Sequence, residues 1–273
     1  MARGKTTQVL TTRLGPSGGV RPDRLVVEEP LEIRLDDHLV ATTMRTPGHD
    51  YELAVGFCHT DGLLAGAPVR TVRYCATGPA SETAFNVVTV STGGAAPEPV
   101  ARLQGTTSSC GLCGSASIDT LLARLTPLAD GPLAVDLAAL VAAAREVRKR
   151  QELFESTGSI HAAAAFDPST GAVDLVREDI GRHNAVDKVV GRLLLDDALP
   201  AAGRGLFVSG RASFEIVQKA WAGGFGLVAA VSGPSALAVD TARAAGITLI
   251  GFLRGDTANV YAPEPAMGAR AAV

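Results

Sequence analysis

The segment SSCGLCGS, residues 108–115, sets two of the chain's four cysteines, Cys110 and Cys113, three positions apart in a loop of glycine and serine. Thiols at that spacing can clip a metal, exchange a disulfide, carry sulfur on a thiolate, or pack as small apolar groups. The flanks favour a nucleophile. Gly111, Gly114, Ser108, Ser109 and Ser115 make a polar, adaptable loop, and the SIDTLLARL that follows is patterned as a helix whose first amides would stabilise a thiolate. A zinc centre needs two more ligands, and no second C-x-x-C or His pair stands at suitable spacing. Zinc deaminase chemistry needs H-x-E ahead of P-C-x-x-C, whereas His161 is followed by Ala162 and Ala163 and comes after the cysteines. No structural metal is therefore expected. Cys58 and Cys75 lie in apolar helix-like and strand-like text and are expected in the core.

A second concentration of chemistry is EDIGRHNAVDK, residues 178–188, where Glu178, Asp179, Arg182, His183, Asn184, Asp187 and Lys188 crowd together. A helix start capped by Asp179 or Asn184, with Arg182 in solvent, explains part of this, but one cap needs fewer polar groups. Two further stretches put arginine beside glycine or serine: VSGRAS, with Ser209 and Arg211, and FLRGDT, comprising Phe252, Leu253, Arg254, Gly255, Asp256 and Thr257. A planar, permanently charged guanidinium in such loops suits bidentate phosphate pairing, the alternative being plain surface charge. His161 by itself reads as a hydrogen-bonded strand residue. Disulfide exchange at the cysteines would leave these distant loops unexplained. A persulfide carrier would use the same thiolate and pass its sulfur to an acceptor held by the second region, which accounts for both.

The elements that must position these groups are legible in the apolar pattern. Residues 1–22 are polar and rich in Gly and Pro, which suggests a mobile arm. Residues 23–105 read as a β-rich domain: a meander in RLVVEEPLEIRLDDHLVATTMR, a helix in DYELAVGFCHTDGLL, and strands in VRTVRYCAT and TAFNVVTVS. Residues 106–273 read as an α/β domain. LAALVAAAREVRKRQELF reads as one helix with a basic end, and SIHAAAAFD and AVDLVRED as adjacent strands. Helices and strands then alternate through NAVDKVVGRLLLDD, GLFVSG, SFEIVQKAWAGG, LVAAVSG, SALAVDTARAAG and ITLIGFLRG, which predicts a mainly parallel sheet covered by helices. In such sheets ligands bind beyond the carboxyl ends of the strands, and EDIGRHN, VSGRAS, VSGPSA and FLRGDT fall at those ends.

At 273 residues and 47% hydrophobic content, the chain can bury a core in one or two domains. A net charge of −3 argues against a general nucleic-acid binder. The first residues lack the apolar centre of a secretory signal, and no run reaches the roughly 18 apolar residues of a membrane span. The expected location is the cytoplasm, where four cysteines do not read as a disulfide framework.

The chain resembles the FdhD family, the formate dehydrogenase accessory sulfurtransferases, in SSCGLCGSASID, TGSIHAAAAFD, EDIGRHNAVDK, SGRASFEIVQKAWAGGFGLVAAVSGPSALAV and ITLIGFLRGDTANVY, and in DYELAVGFCHTDGLL nearer the start. The likeness runs from about residue 25 to the end. It implies a C-terminal cytidine-deaminase-like α/β domain that has lost zinc chemistry, with a smaller β-rich N-terminal domain. It further implies a sulfurtransferase that takes sulfur from a cysteine desulfurase and delivers it to the Mo-bis(molybdopterin guanine dinucleotide) cofactor of formate dehydrogenase. By the same resemblance Cys110 carries the persulfide, Phe252 to Thr257 bind the cofactor, and the protein is a homodimer. On this reading Cys113 assists by hydrogen bonding, by shuttling sulfur or by releasing sulfide. Arg254, Arg211, Ser209 and the loop of Arg182, His183 and Asn184 hold the guanine nucleotides, for which GDP is a surrogate. A cofactor-binding chaperone that transfers no sulfur and a C-x-x-C thiol oxidoreductase are the rival readings.

Overall fold

The computed structural model describes residues 4–75, 85–99, 123, 125–129, 131–134 and 136–263. Cys110, Cys113, the helix expected in SIDTLLARL apart from Ala123 and Leu125, and the domain boundary expected near residue 105 lie outside the described residues.

The first strands are β1 (Thr6–Arg13) and β2 (Gly19–Val26), which pair antiparallel as a hairpin. Residues 1–22, read from the sequence as an arm, thus supply most of this hairpin. Gly15, Pro16 and Gly18 form its turn, where Gly18 N–H donates to Gly15 O at 2.9 Å and Gly15 has φ 114°. The ribbon is exposed along most of its length.

A four-stranded sheet follows, in the order β4-β3-β6-β5, from β3 (Glu29–Leu35), β4 (His38–Arg45), β5 (Thr71–Tyr74) and β6 (Val87–Ser91). Alternation in β3 turns Leu31, Ile33 and Leu35 inward, where they meet Val88 and Val90 of β6. Helix α1 (Asp50–Thr60) closes this core with Leu53, Ala54 and Cys58.

The remaining elements are the helices α2 (Leu137–Lys149) and α3 (Glu152–Thr157), the strands β7 (His161–Phe166) and β8 (Val173–Asp179), and α4 (Arg182–Leu195). Then come β9 (Gly205–Val208), α5 (Phe214–Ala222), β10 (Leu227–Ala230), α6 (Ala236–Ala245), β11 (Thr248–Arg254) and β12 (Thr257–Ala262). Helices α2 and α3 are two helices where the apolar pattern suggested one, with the break at Arg150 and Gln151. The strands form a six-stranded sheet in the order β12-β11-β10-β9-β7-β8.

In this sheet only β9, β10 and β11 pair in parallel, while β7 is antiparallel to both neighbours and β12 is antiparallel to β11. The expected mainly parallel sheet is thus a mixed one. The reason is connection length: Asp167 and Gly171 close a tight turn between β7 and β8, and Gly255-Asp256 join β11 to β12. Links that short make hairpins and cannot cross over.

The alanines of β7 let both faces of the sheet be covered closely. Ala163 and Ala165 pack under α4 and α5 with Val186, Val190, Ile216 and Trp221, whereas Ala162, Ala164 and Phe166 pack under α2 with Leu140 and Val147. The small sheet and the large one are joined through α1 and α4, which cross at Gly56 and Gly191. A Cβ on Gly56 would overlap the Asp187 carbonyl, and one on Gly191 the Glu52 carbonyl, so only glycine allows the two backbones to meet. Glu52 on α1 also takes two hydrogen bonds from Arg177 of β8, at 2.5 and 2.8 Å. Burial would raise the Glu52 pKa, but Arg177 and His49 outweigh it and hold the carboxyl at about 2. No helix among the described residues is long and apolar enough to cross a membrane.

Candidate functional site

Because β8, β9, β10 and β11 all point the same way across the sheet, the loops that follow them collect on one edge, and the first residue of antiparallel β7, His161, joins them there. Short contacts tie the loops in sequence. A Cβ on Gly210 would stand 3.6 Å from His161 Nδ1, Ser232 N–H donates to Gly210 O at 3.2 Å, and Phe252 N–H donates to Ser232 O at 3.3 Å. EDIGRHN, VSGRAS, VSGPSA and FLRGDT therefore form one continuous edge, as the sequence predicted.

The structure separates the polar residues of the first loop into two groups. Asp179 is fully buried and accepts from Thr46 N–H, Gly181 N–H and Asn184 Nδ2, while pairing with Lys188 Nζ at 2.7 Å. Asn184 donates also to Met44 O and accepts from Thr43, and Lys188 donates to Thr46 O. Glu178 accepts the N–H groups of Leu153 and Phe154, both at 2.9 Å, and so anchors the start of α3. These residues, with Asp187, fasten the loop to its neighbours. Asn184 positions the loop with every amide atom engaged. That leaves Arg182 and His183 on the edge, neither of them fully buried.

Arg182 begins α4, whose N-cap is Gly181 with no side-chain cap, and its Nε is buried with no hydrogen-bond partner among the described residues. A buried unpaired guanidinium nitrogen at an open helix N-terminus fits an anionic group. Helix α5 is likewise open, because Ser213 at its N-cap does not cap and instead sits 3.3 Å from His183 Nε2. Ser209 is committed to the sheet, its Oγ accepting from Ala162 N–H at 2.9 Å. Arg211 is exposed. In FLRGDT, Leu253 belongs to the core, while Phe252, Arg254, Gly255, Asp256 and Thr257 are exposed. Arg254 Nε donates to Val231 O at 2.9 Å, which anchors its guanidinium on the edge.

Burial, reinforced by the charges of Arg182 and Lys219, lowers the His183 pKa to about 4 against the pull of Glu215, whose carboxylate lies 3.7 Å away. His161 is lowered for the same first reason, burial, and then by Arg182. Both rings are neutral at neutral pH, leaving the arginines as the fixed positive charge. For His183 the unfolded chain, with a pKa near 6.5, binds the proton more readily, so this residue subtracts stability as the pH falls from 6.5 toward 4. An NMR titration of the ring is expected to give a midpoint near 4. A midpoint near 6.5 contradicts this environment.

Ser213 and Gly233 lie in VSGRAS and VSGPSA but were not singled out from the sequence, and Glu215 escaped it altogether. Ser213 and Glu215 could have been noticed as a hydroxyl and a carboxylate opening a helix directly after SGRA. Gly233 carries no signal apart from its place at a strand end. Cys58 is fully buried with its thiol pKa pushed up by that burial, and Cys75 is also buried, as expected of core cysteines.

The FdhD/NarQ family model matches residues 26–267. A protein described as sulfur carrier protein FdhD from Mycolicibacterium paratuberculosis is 48% identical over 255 residues, spanning 91% of this chain and 93% of that protein. One of the same description from Streptomyces avermitilis is 49% identical over 260 residues, 92% of each chain. A crystal structure from Desulfotalea psychrophila, described as that of a candidate formate dehydrogenase accessory protein, superposes with a TM-score of 0.76 at 24% identity. It covers 95% of this chain and 98% of that one and shares the fold.

Proposed function

The chain belongs to the FdhD/NarQ family, and from that premise we propose that it is a sulfur carrier protein serving formate dehydrogenase. A cysteine desulfurase is the donor. The Cys110 thiolate attacks the outer sulfur of the donor's cysteine persulfide, the donor's S–S bond breaks, its thiolate leaves, and Cys110 becomes the persulfide. The acceptor substrate is the Mo-bis(molybdopterin guanine dinucleotide) cofactor. If sulfur leaves as sulfide, Cys113 attacks the inner sulfur, the Cys110–Cys113 disulfide forms, and the two electrons lost by the thiols reduce the outer sulfur. Cys113 could equally hydrogen-bond the persulfide or relay its sulfur. The fold family and its relatives support the carrier role, and the reading places the protein in the cytoplasm as a homodimer.

The acceptor half rests on one observation: four loops carrying Arg182, Arg211 and Arg254 share a single sheet edge where two helix N-termini are open and Arg182 Nε has no hydrogen-bond partner among the described residues. These are the groups that hold phosphates. GDP, standing for half of the cofactor, is expected to bind, with an affinity that falls as salt rises. Arg254→Ala should weaken it by about 1.5 to 3 kcal/mol, or about 10- to 150-fold, with lysine restoring only part. Sulfur loading should be unchanged in both variants. Calorimetry with GDP tests this. No binding at millimolar GDP, or an Arg254→Ala protein that fails to load sulfur, contradicts it.

A further inference from the structure

Thr89 of β6 is only 1% exposed, yet its Oγ1 has no hydrogen-bond partner among the described residues. Its neighbours Val88 and Val90 point into the core of the four-stranded sheet, so Thr89 stands on the opposite, outer face. The strand register sets Arg34 of β3 beside it on one side and Arg73 of β5 on the other. Arg34 Nε is likewise buried without a partner among the described residues. The only other such atom among them is Arg182 Nε on the edge of the six-stranded sheet, so two of the three fall next to each other in one row.

The acceptors around this row are spent elsewhere. Asp36 takes the hydroxyl of Ser91, two residues beyond Thr89, at 3.1 Å, and the N–H groups of Thr92 and Gly93 at 2.8 and 3.1 Å. Glu32 accepts from Arg34 Nη2 at 3.1 Å, which engages one side of that guanidinium and leaves Nε. Arg73 is exposed and has no ion-pair or hydrogen-bond partner among the described residues. A buried donor without an acceptor costs stability, and here two of them sit beside a second guanidinium. Strands spaced by about 4.8 Å place the two arginine backbones about 10 Å apart, which lets both side chains close on one small tetrahedral anion above Thr89.

We propose that Arg34, Thr89 and Arg73 form a binding site for an inorganic oxyanion of phosphate size, on the outer face of the four-stranded sheet and separate from the nucleotide edge. The anion accepts from the Thr89 hydroxyl, from Arg34 Nε and from the Arg73 guanidinium. It ties β3, β6 and β5 together, so its occupancy acts on the stability of the N-terminal unit rather than on sulfur loading.

Thermal unfolding in sodium phosphate, against sodium chloride of equal ionic strength, tests this. The wild-type midpoint is expected to rise with phosphate and to saturate in the millimolar range, whereas the general salting-out action of phosphate does not saturate. Arg73→Gln should weaken phosphate binding about 10- to 150-fold, the range for a lost hydrogen bond to a charged group. Thr89→Val has a sign of its own. In chloride it should be no less stable than the wild type, because an unpaired buried hydroxyl is removed, and in phosphate it should gain less. Arg254→Ala should keep the full wild-type response, which separates this site from the nucleotide edge. The site is overturned by a wild-type protein without a saturable response to phosphate, or by a response that Arg254→Ala removes and Arg73→Gln keeps. A Thr89→Val protein already destabilised in chloride overturns it as well, since the hydroxyl would then have a partner of its own.

Discussion

Alanine at Cys110 is expected to abolish sulfur loading and, with it, activation of the recipient formate dehydrogenase, while the protein stays folded. A methyl group cannot carry a persulfide, so the loss should be complete rather than graded. Cys113→Ala should be impaired more variably, because the role proposed for it is assistance. Cys58→Ala and Cys75→Ala should still load. Both thiols are buried, and that of Cys58 is held protonated by burial, so neither competes as a nucleophile. Dehydrogenase activity measured alongside unfolding curves separates lost chemistry from lost fold. An active Cys110→Ala protein contradicts the mechanism.

Asp187→Ala is expected to destabilise the fold by about 3 to 5 kcal/mol, the cost of leaving a buried partner charge uncompensated. Lys219 Nζ lies 2.8 and 2.9 Å from the two Asp187 oxygens and 2.9 Å from Thr60 Oγ1, and Thr60 itself donates to Asp187 at 2.8 Å. Burial alone would lower the Lys219 pKa, but Asp187 and Asp61 outweigh it and raise it, so the ammonium stays charged. Burial pushes Asp187 upward, in the direction of the neutral acid, against Lys219 and Thr60. The three hydrogen bonds its oxygens accept favour the carboxylate, and we read the pair as ionic. The group locks α1 to α4 and α5 beside the Gly56–Gly191 crossing, joining the N-terminal unit to the sheet that carries the candidate site. The double variant Asp187→Leu with Lys219→Met should recover much of the loss, since an apolar pair carries no stranded charge. Denaturant unfolding measures both. An Asp187→Ala cost below about 1 kcal/mol would show that the pair is not a lock.

The parts of the fold that were legible are those where local pattern and tertiary environment agree. The elements from β9 to β11 carry apolar runs punctuated by glycine, and α6 has both its capping Ser235 and its left-handed Gly246. The break between α2 and α3 was not legible, because Arg150 and Gln151 interrupt a continuous helical pattern without glycine or proline. The N-terminal hairpin was hidden by strands that are polar on both faces and by Pro22 inside β2, opposite Leu10. At the candidate site the density of polar residues in EDIGRHNAVDK was visible, but its division was not. Asp179 and Asn184 are directed inward by residues 43–46, more than a hundred positions earlier in the chain, and no local signal reports such a contact. The convergence of the four loops followed from the alternation of strands and helices alone, and it survives the antiparallel strands β7 and β12.

The central claim, that this chain carries sulfur on Cys110, is tested most directly by the intact mass of the protein after incubation with a cysteine desulfurase and cysteine, before and after reductant. The account predicts a gain of one sulfur atom per chain, located at Cys110, removed by reductant and absent from Cys110→Ala. No gain in the wild-type protein, or an equal reductant-labile gain in Cys110→Ala, contradicts it.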